Sequence, residues 1–205
     1  MNAGLLGLFS GFPTHHFTDE IAKMLCDNLP KRSRLVFISA WPEDYAQNDD
    51  DREGMHEMFA ERGMTFGERY VIDRRTEKAD AIALVRKADC IFLMGGDVTL
   101  QIGLIRDLDL IPSLLASHAV ILGVSAGSMN MGKYVAEVWK SGSFYEGIGL
   151  TGLVTKGHYT EDIWFIPVLR ELSMVHPVIA MEDESAIFIK DDVIKIIGQM
   201  YLFNR

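Results

Sequence analysis

"AVILGVSAGSMN", Ala119 to Asn130, is the stretch on which the fold reading turns. An apolar run of strand length passes without a loop into Gly123-Val124-Ser125-Ala126-Gly127, and small residues then begin a helix. A strand that is apolar at every position, rather than at alternate ones, suits a parallel sheet covered on both faces. Gly-x-Ser-x-Gly between such a strand and a helix is the pattern of a sharp elbow. The two glycines remove side chains that would clash in so cramped a turn. Open sheets of this kind bind ligands at their C-terminal edge, and the following helix aims free backbone N–H groups at the same point. Two readings stand on these residues alone: a tight turn and nothing more, or a turn that holds the Ser125 hydroxyl up as a nucleophile.

The rest of the chain repeats the alternation. "GLLGLFSG" (Gly4 to Gly11) reads as a first strand, followed by a helix from about His16 to Asn28 with Thr18 or Asp19 as its cap. "RLVFISAW" is a second buried strand. The polar run "EDYAQNDDDRE" (Glu43 to Glu53) reads as a solvated loop leading into a helix that Gly63 closes. Met55 and Met58 share one face of that helix and read as core. "RYVID", a helix capped by Thr76, "DCIFLMGG" and a helix from about Val98 continue the pattern. From Val178 to Asn204, four short apolar runs separated by acidic turns predict antiparallel strands. The expected architecture is α/β and three-layered, a mostly parallel sheet flanked by helices with antiparallel C-terminal strands, in one domain spanning residues 1–205.

Bulk composition narrows the function classes. With 205 residues, 48% of them hydrophobic, the chain can bury roughly 70% of its unfolded surface and needs no disulfide or metal to hold a core. Twenty Lys and Arg against 29 Asp and Glu give a formal charge of −9 without a basic cluster, which argues against a nucleic-acid partner. No apolar run has the length of a membrane helix and no basic-then-apolar leader opens the sequence, so no membrane partner is expected. Cys26 and Cys90 lack metal-ligand spacing and read as buried free thiols, which suits a reducing cytoplasm.

A serine nucleophile needs a base, and the base needs an orienting carboxylate. His15, His16, His56, His118 and His176 stand where surface or packing residues are expected. His158 differs: it follows the apolar "GLVTKG" and stands at a strand tip, where it could reach over the elbow. Further on, "MEDES" holds Glu182, Asp183 and Glu184 between two apolar runs. Gly95-Gly96, after the fourth strand, is either a plain loop or a second source of oxyanion-binding N–H groups.

Taken together, "MGGDVTLQ", "GVSAGSMN", "GHYT" and "AMEDESA" resemble the peptidase E (aspartyl dipeptidase) and cyanophycinase family of serine peptidases. The resemblance covers most of the chain and implies a fold like that of the class I glutamine amidotransferases, with serine in place of their cysteine. It implies Ser125 as nucleophile, His158 as base, and the N–H groups of Gly96 and Ala126 as the oxyanion hole. Asp183 aligns best with the acid, and a one-residue shift would substitute Glu182 or Glu184. Short peptides are the implied substrate, with no cofactor or metal; the oligomeric state stays open, a homodimer included. Two departures bear on specificity. Asp97 replaces the usual Asn and would set a negative charge beside the substrate, and Phe165 in "TEDIWFIPVLREL" falls where an Arg would hold a substrate aspartate. The rival from another class is a non-catalytic member of this fold that binds a small ligand. An α/β-hydrolase esterase fits less well, because its acid precedes its histidine.

Overall fold

A computed structural model describes residues 4–138, 143–161 and 165–205. The chain starts with β1 (Leu6–Phe9) and α1 (Asp19–Asn28), whose first turn is capped by Thr18. The Thr18 hydroxyl accepts the Ile21 N–H at 3.4 Å, and Asp19 and Glu20 complement the positive end of the helix. His15 and His16 therefore lie ahead of the helix rather than opening it.

After β2 (Arg34–Ile38) comes a correction. The polar run expected as a loop is helical from its third residue, because α2 spans Tyr45–Glu61. Asp44 accepts the Gln47 N–H at 3.4 Å and so satisfies one of the helix's orphan donors. The helix buries few side chains (Asn48, Met58 and Phe59 among them), which is why no apolar period announced it. Gly63, at φ +73°, ends it in the left-handed region, as expected.

β3 (Glu68–Ile72) leads to α3 (Lys78–Lys87). Thr76 does not cap this helix: Glu77 holds that position, and the Thr76 hydroxyl instead accepts the Asp73 N–H at 3.3 Å, closing the preceding turn. Then follow β4 (Cys90–Leu93), α4 (Val98–Asp107), α5 (Ile111–Leu115), β5 (Val120–Val124) and α6 (Ala126–Asn130). The hairpin β6 (Tyr134–Glu137) and β7 (Ser143–Glu146) precedes β8 (Thr155–Lys156) and α7 (Phe165–Ser173). The chain finishes with β9 (Val178–Met181), β10 (Ala186–Lys190), β11 (Val193–Ile197) and β12 (Met200–Phe203).

The main sheet runs β11-β10-β1-β5-β4-β2-β3. Five strands from β1 to β3 are parallel, while β10 joins β1 antiparallel and β11 joins β10 antiparallel. The antiparallel finish is thus present but divided, since β9 and β12 pair in a separate sheet, where β9 also runs parallel to β8. Successive side chains on each strand feed opposite layers. Phe9, Phe37, Phe92 and Phe188 pack with α1 and α2 residues on one face, and Leu8, Ile38, Leu93 and Ile121 pack with α3 and α4 residues on the other. Each such buried side chain contributes about 1.5–3 kcal/mol of burial free energy.

Cys90 is buried as expected and burial pushes its thiol upward, out of reach of ionisation at neutral pH. Cys26 is exposed, contrary to expectation, because it lies on the solvent side of α1. Among the described residues no helix is long and apolar enough to cross a membrane. For the site, the decisive feature is that β5 lies between β1 and β4. The C-terminal ends of those two neighbours, at Ser10-Gly11 and Gly95-Gly96, therefore flank whatever β5 presents.

Candidate active site

β5 presents Ser125, at φ 51° and ψ −111°. A non-glycine residue there is strained by about 1–3 kcal/mol. Neighbouring bonds hold it: its N–H donates to Phe9 O at 2.9 Å, and its carbonyl accepts from Met129 N–H at 3.1 Å and from the Ser128 hydroxyl at 2.8 Å. The glycines are required by close approach. A Cβ on Gly127 would lie 2.1 Å from Leu93 O, and one on Gly123 would lie 2.6 Å from the Gly127 carbonyl carbon. Strand, turn and helix are thus stacked backbone on backbone beneath the serine.

His158 follows β8 after one glycine and has φ 53°. Its Nε2 is 2.9 Å from Ser125 Oγ, and its Nδ1 is 2.7 Å from Asp183 Oδ1. A carboxylate only accepts, so Nδ1 carries the proton and Nε2 is left to accept from the serine hydroxyl. The three acids separate cleanly. Glu182 accepts from the Tyr201 hydroxyl at 2.9 Å, and Glu184 from the Thr14 hydroxyl at 2.8 Å. Asp183 alone of the three lies against His158.

Ser10 joins this line, and nothing in the sequence set it apart from other serines. Fully buried at the end of β1, its hydroxyl accepts the His158 N–H at 2.7 Å. It also lies 2.9 Å from Met181 O and 3.2 Å from Asp183 Oδ1, to one of which it donates. It fixes the backbone of the histidine and the end of β9 together. The only sequence trace of this role is its place at a strand end beside Gly11. That glycine is itself confined, because a Cβ there would meet His158 Cε1 at 2.4 Å and Asp183 Oδ1 at 2.5 Å. Gly11→Ala is therefore expected to push the ring and the carboxylate apart. A fall in kcat of roughly 10²-fold, with KM and thermal midpoint little changed, would mark a loss of general-base geometry.

On the other flank, Gly95 sits beside Ser125, with a Cβ position 3.6 Å from Ser125 Cβ. Gly96 has φ +137° and packs so closely on Trp41 that a Cβ would lie 2.4 Å from its Nε1. Among the described residues, the N–H groups of Gly96 and Ala126 have no hydrogen-bond partner. Asp97 caps the helix that follows. Its Oδ1 accepts from Thr99 N–H at 2.8 Å, Leu100 N–H at 2.9 Å and Thr99 Oγ1 at 2.6 Å, which sets a negative charge at the N-terminus of α4.

Gln101 and Asn130, the last residues of "MGGDVTLQ" and "GVSAGSMN", form a buried brace between the two loops. Gln101 Nε2 donates to Ile38 O at 3.1 Å and Met94 O at 2.9 Å, while its Oε1 accepts from Asn130 Nδ2 at 3.0 Å. Asn130 Nδ2 also donates to Val98 O at 2.9 Å. Asn130→Leu leaves Gln101 Oε1 short of a donor in the interior. A loss of about 1–3 kcal/mol in urea unfolding is expected.

Phe165 begins α7, and residues 162–164 before it lie outside the described residues. A cation is present near it after all: Lys156 Nζ lies 5.7 Å from the Phe165 ring centroid and donates to Gly157 O. Burial holds the Lys156 ammonium below the ordinary lysine range, against the opposing pull of Asp183. Among the described residues, no three His, Cys, Asp or Glu side chains are grouped so as to hold a metal ion.

A hydroxyl, an imidazole in contact with it and a carboxylate behind the imidazole are an arrangement that can run acyl transfer. Residues 6–197 match the family model described as peptidase family S51. Among solved structures, the chain is similar to a peptidase from an acI-B1 Actinobacterium at 17% identity, with a TM-score of 0.78 over 98% of this chain and 91% of that one. It is also similar to a peptidase E candidate from Listeria monocytogenes EGD-e at 16% identity, with a TM-score of 0.70 over 96% of this chain and 98% of that one. At such identities the likeness is one of fold: a mostly parallel sheet between helices, with antiparallel strands toward the C-terminus. No curated protein matches the chain.

Proposed function

The chain belongs to peptidase family S51, and from that premise we propose that it hydrolyses short peptides, dipeptides among them, through an acyl-enzyme on Ser125. It is a serine peptidase; the substrate size and the residue roles are the proposal. The observation that carries it is the unbroken line from Asp183 through His158 to Ser125, with contacts of 2.7 and 2.9 Å.

In the proposed reaction, Ser125 Oγ attacks the substrate carbonyl as its proton passes to His158 Nε2. The oxyanion that forms is held by the N–H groups of Gly96 and Ala126, each such donor being worth roughly 3 kcal/mol of barrier. Asp183 stabilises the imidazolium without taking its proton. Collapse breaks the C–N bond, His158 returns the proton to the leaving amine, and the acyl group stays on Oγ. Water, deprotonated by the same Nε2, then releases the acid and restores the serine. One domain in the cytoplasm completes the proposal.

The test uses a fluorophosphonate probe and a panel of dipeptides and aminoacyl amides, with wild type and Ser125→Ala. Labelling and peptide cleavage that both vanish in the variant would support it. Labelling with ester turnover alone would make the protein an esterase. No labelling and no cleavage by wild type would leave a ligand-binding protein on a peptidase fold.

A further inference from the structure

Gly95 and Gly96 stand between two residues that hydrogen bonds hold in place. Met94 donates its N–H to Ile38 O at 3.0 Å, its carbonyl accepts from Gln101 Nε2 at 2.9 Å, and Asp97 caps α4. Among the described residues, neither glycine makes a backbone hydrogen bond. Glycine has the widest backbone freedom of any residue, yet an oxyanion donor works only if it is fixed before the reaction begins. Packing supplies here what hydrogen bonds do not. A Cβ on Gly95 would lie 3.5 Å from Val124 Cγ1 and 3.6 Å from Ser125 Cβ, so the elbow backs the first glycine. One on Gly96 would overlap Trp41, at 2.4 Å from Nε1 and 2.8 Å from Cδ1. The peptide that joins the two glycines carries the Gly96 N–H, and it is held between the elbow and the pyrrole edge of the indole.

The backbone of Trp41 is itself fixed. Its N–H donates to Ser39 Oγ at 2.9 Å, and its carbonyl accepts from Asn48 Nδ2 and from Asp44 N–H, each at 3.0 Å. The Ser39 hydroxyl donates to Asn48 Oδ1 at 2.7 Å, and both of these side chains are buried. The indole they support is 46% exposed, so it adds little to the core. Resting on the serine peptidase reading, we propose that Trp41 is a positioning residue for the oxyanion hole. Its indole holds Gly96 at φ +137°, with the N–H aimed at the oxygen that turns negative in the tetrahedral intermediate. Trp41 acts through Gly96 and strengthens a contact made in the transition state, so its loss should appear in kcat rather than in KM.

The experiment measures kcat and KM in wild type, Trp41→Ala and Trp41→Phe, on the dipeptide that wild type cleaves fastest. It adds the inhibition constant of the α-aminoboronic acid that matches that dipeptide's first residue, whose tetrahedral adduct on Ser125 sets a hydroxyl in the oxyanion hole. Trp41→Ala is expected to lower kcat and weaken the boronate by about 10²-fold each, the cost of misplacing a group by about 1 Å. KM and the urea midpoint should stay unchanged. Trp41→Phe keeps an aromatic edge against Gly96 and should bring both values back to within about tenfold of wild type. A raised KM at unchanged kcat in Trp41→Ala would overturn the proposal, because the indole would then bind substrate. So would kcat and boronate affinity that stay within about threefold of wild type, whatever the urea midpoint. Trp41→Phe as impaired as Trp41→Ala would overturn it too, since the packing edge would be present without effect. Each of these results leaves the peptidase standing. A wild type that cleaves no dipeptide and binds no boronate would overturn the peptidase reading and this proposal together.

Discussion

Ser125→Ala is expected to abolish peptide hydrolysis, lowering kcat by about 10⁶-fold, the scale on which a nucleophile acting as one unit with its base is lost. The fold should survive, because the bonds that hold position 125 run through its backbone: its N–H to Phe9 O and its carbonyl to Met129 N–H. Dipeptide should still bind the variant, and calorimetric titration gives that readout apart from turnover. The companion variant Ser125→Gly separates chemistry from strain. Glycine adopts φ 51° without a steric penalty, so it should be as inactive as the alanine variant yet about 1 kcal/mol more stable than wild type in urea unfolding. Equal stability would mean that the elbow is not strained. Residual peptide cleavage above roughly 10⁻³ of wild type would remove Ser125 from the nucleophile's role.

Asp183→Asn has the second largest effect expected, a fall in kcat of about 10⁴-fold. An amide at this position would donate to Nδ1. The imidazole must then carry its proton on Nε2, where it can no longer accept from the serine. Glu182→Gln and Glu184→Gln should each stay within about tenfold of wild type, since those carboxylates accept from Tyr201 and Thr14. Steady-state rates on one dipeptide decide the matter. A larger loss in Glu182→Gln or Glu184→Gln than in Asp183→Asn would transfer the acid's role.

Much of this site was legible because its parts are local. An elbow between glycines, a glycine pair after a strand and a histidine at a strand tip each follow from the chemistry of a few adjacent residues. The choice among Glu182, Asp183 and Glu184 was not legible, because it depends on which way each side chain leaves a turn, and that is set by Tyr201, Thr14 and Ser10. Ser10 was missed for a related reason. A serine whose partners lie 148 and 171 residues away looks like any other serine. The start of α2 was hidden by its composition, since the run from Glu43 to Glu53 is almost all polar and a helix that buries little carries no apolar period. The capping role of Asp97 was not legible either, because one residue type serves both as a helix cap and as a free carboxylate.

The Ser10 contacts have a consequence for when the enzyme becomes active. β1 is made before the segments it meets: it pairs with β10, and Ser10 meets His158, Met181 and Asp183. Contacts of such sequence separation form late and slow folding. A nascent chain that ends near Ser173 can already hold the elbow, yet it has no acid behind its base. With Asp183 as the acid, as proposed above, proteolytic competence should arrive only with the return of the C-terminal strands. A peptidase built in this order is expected to stay silent on the ribosome until its own fold is closed.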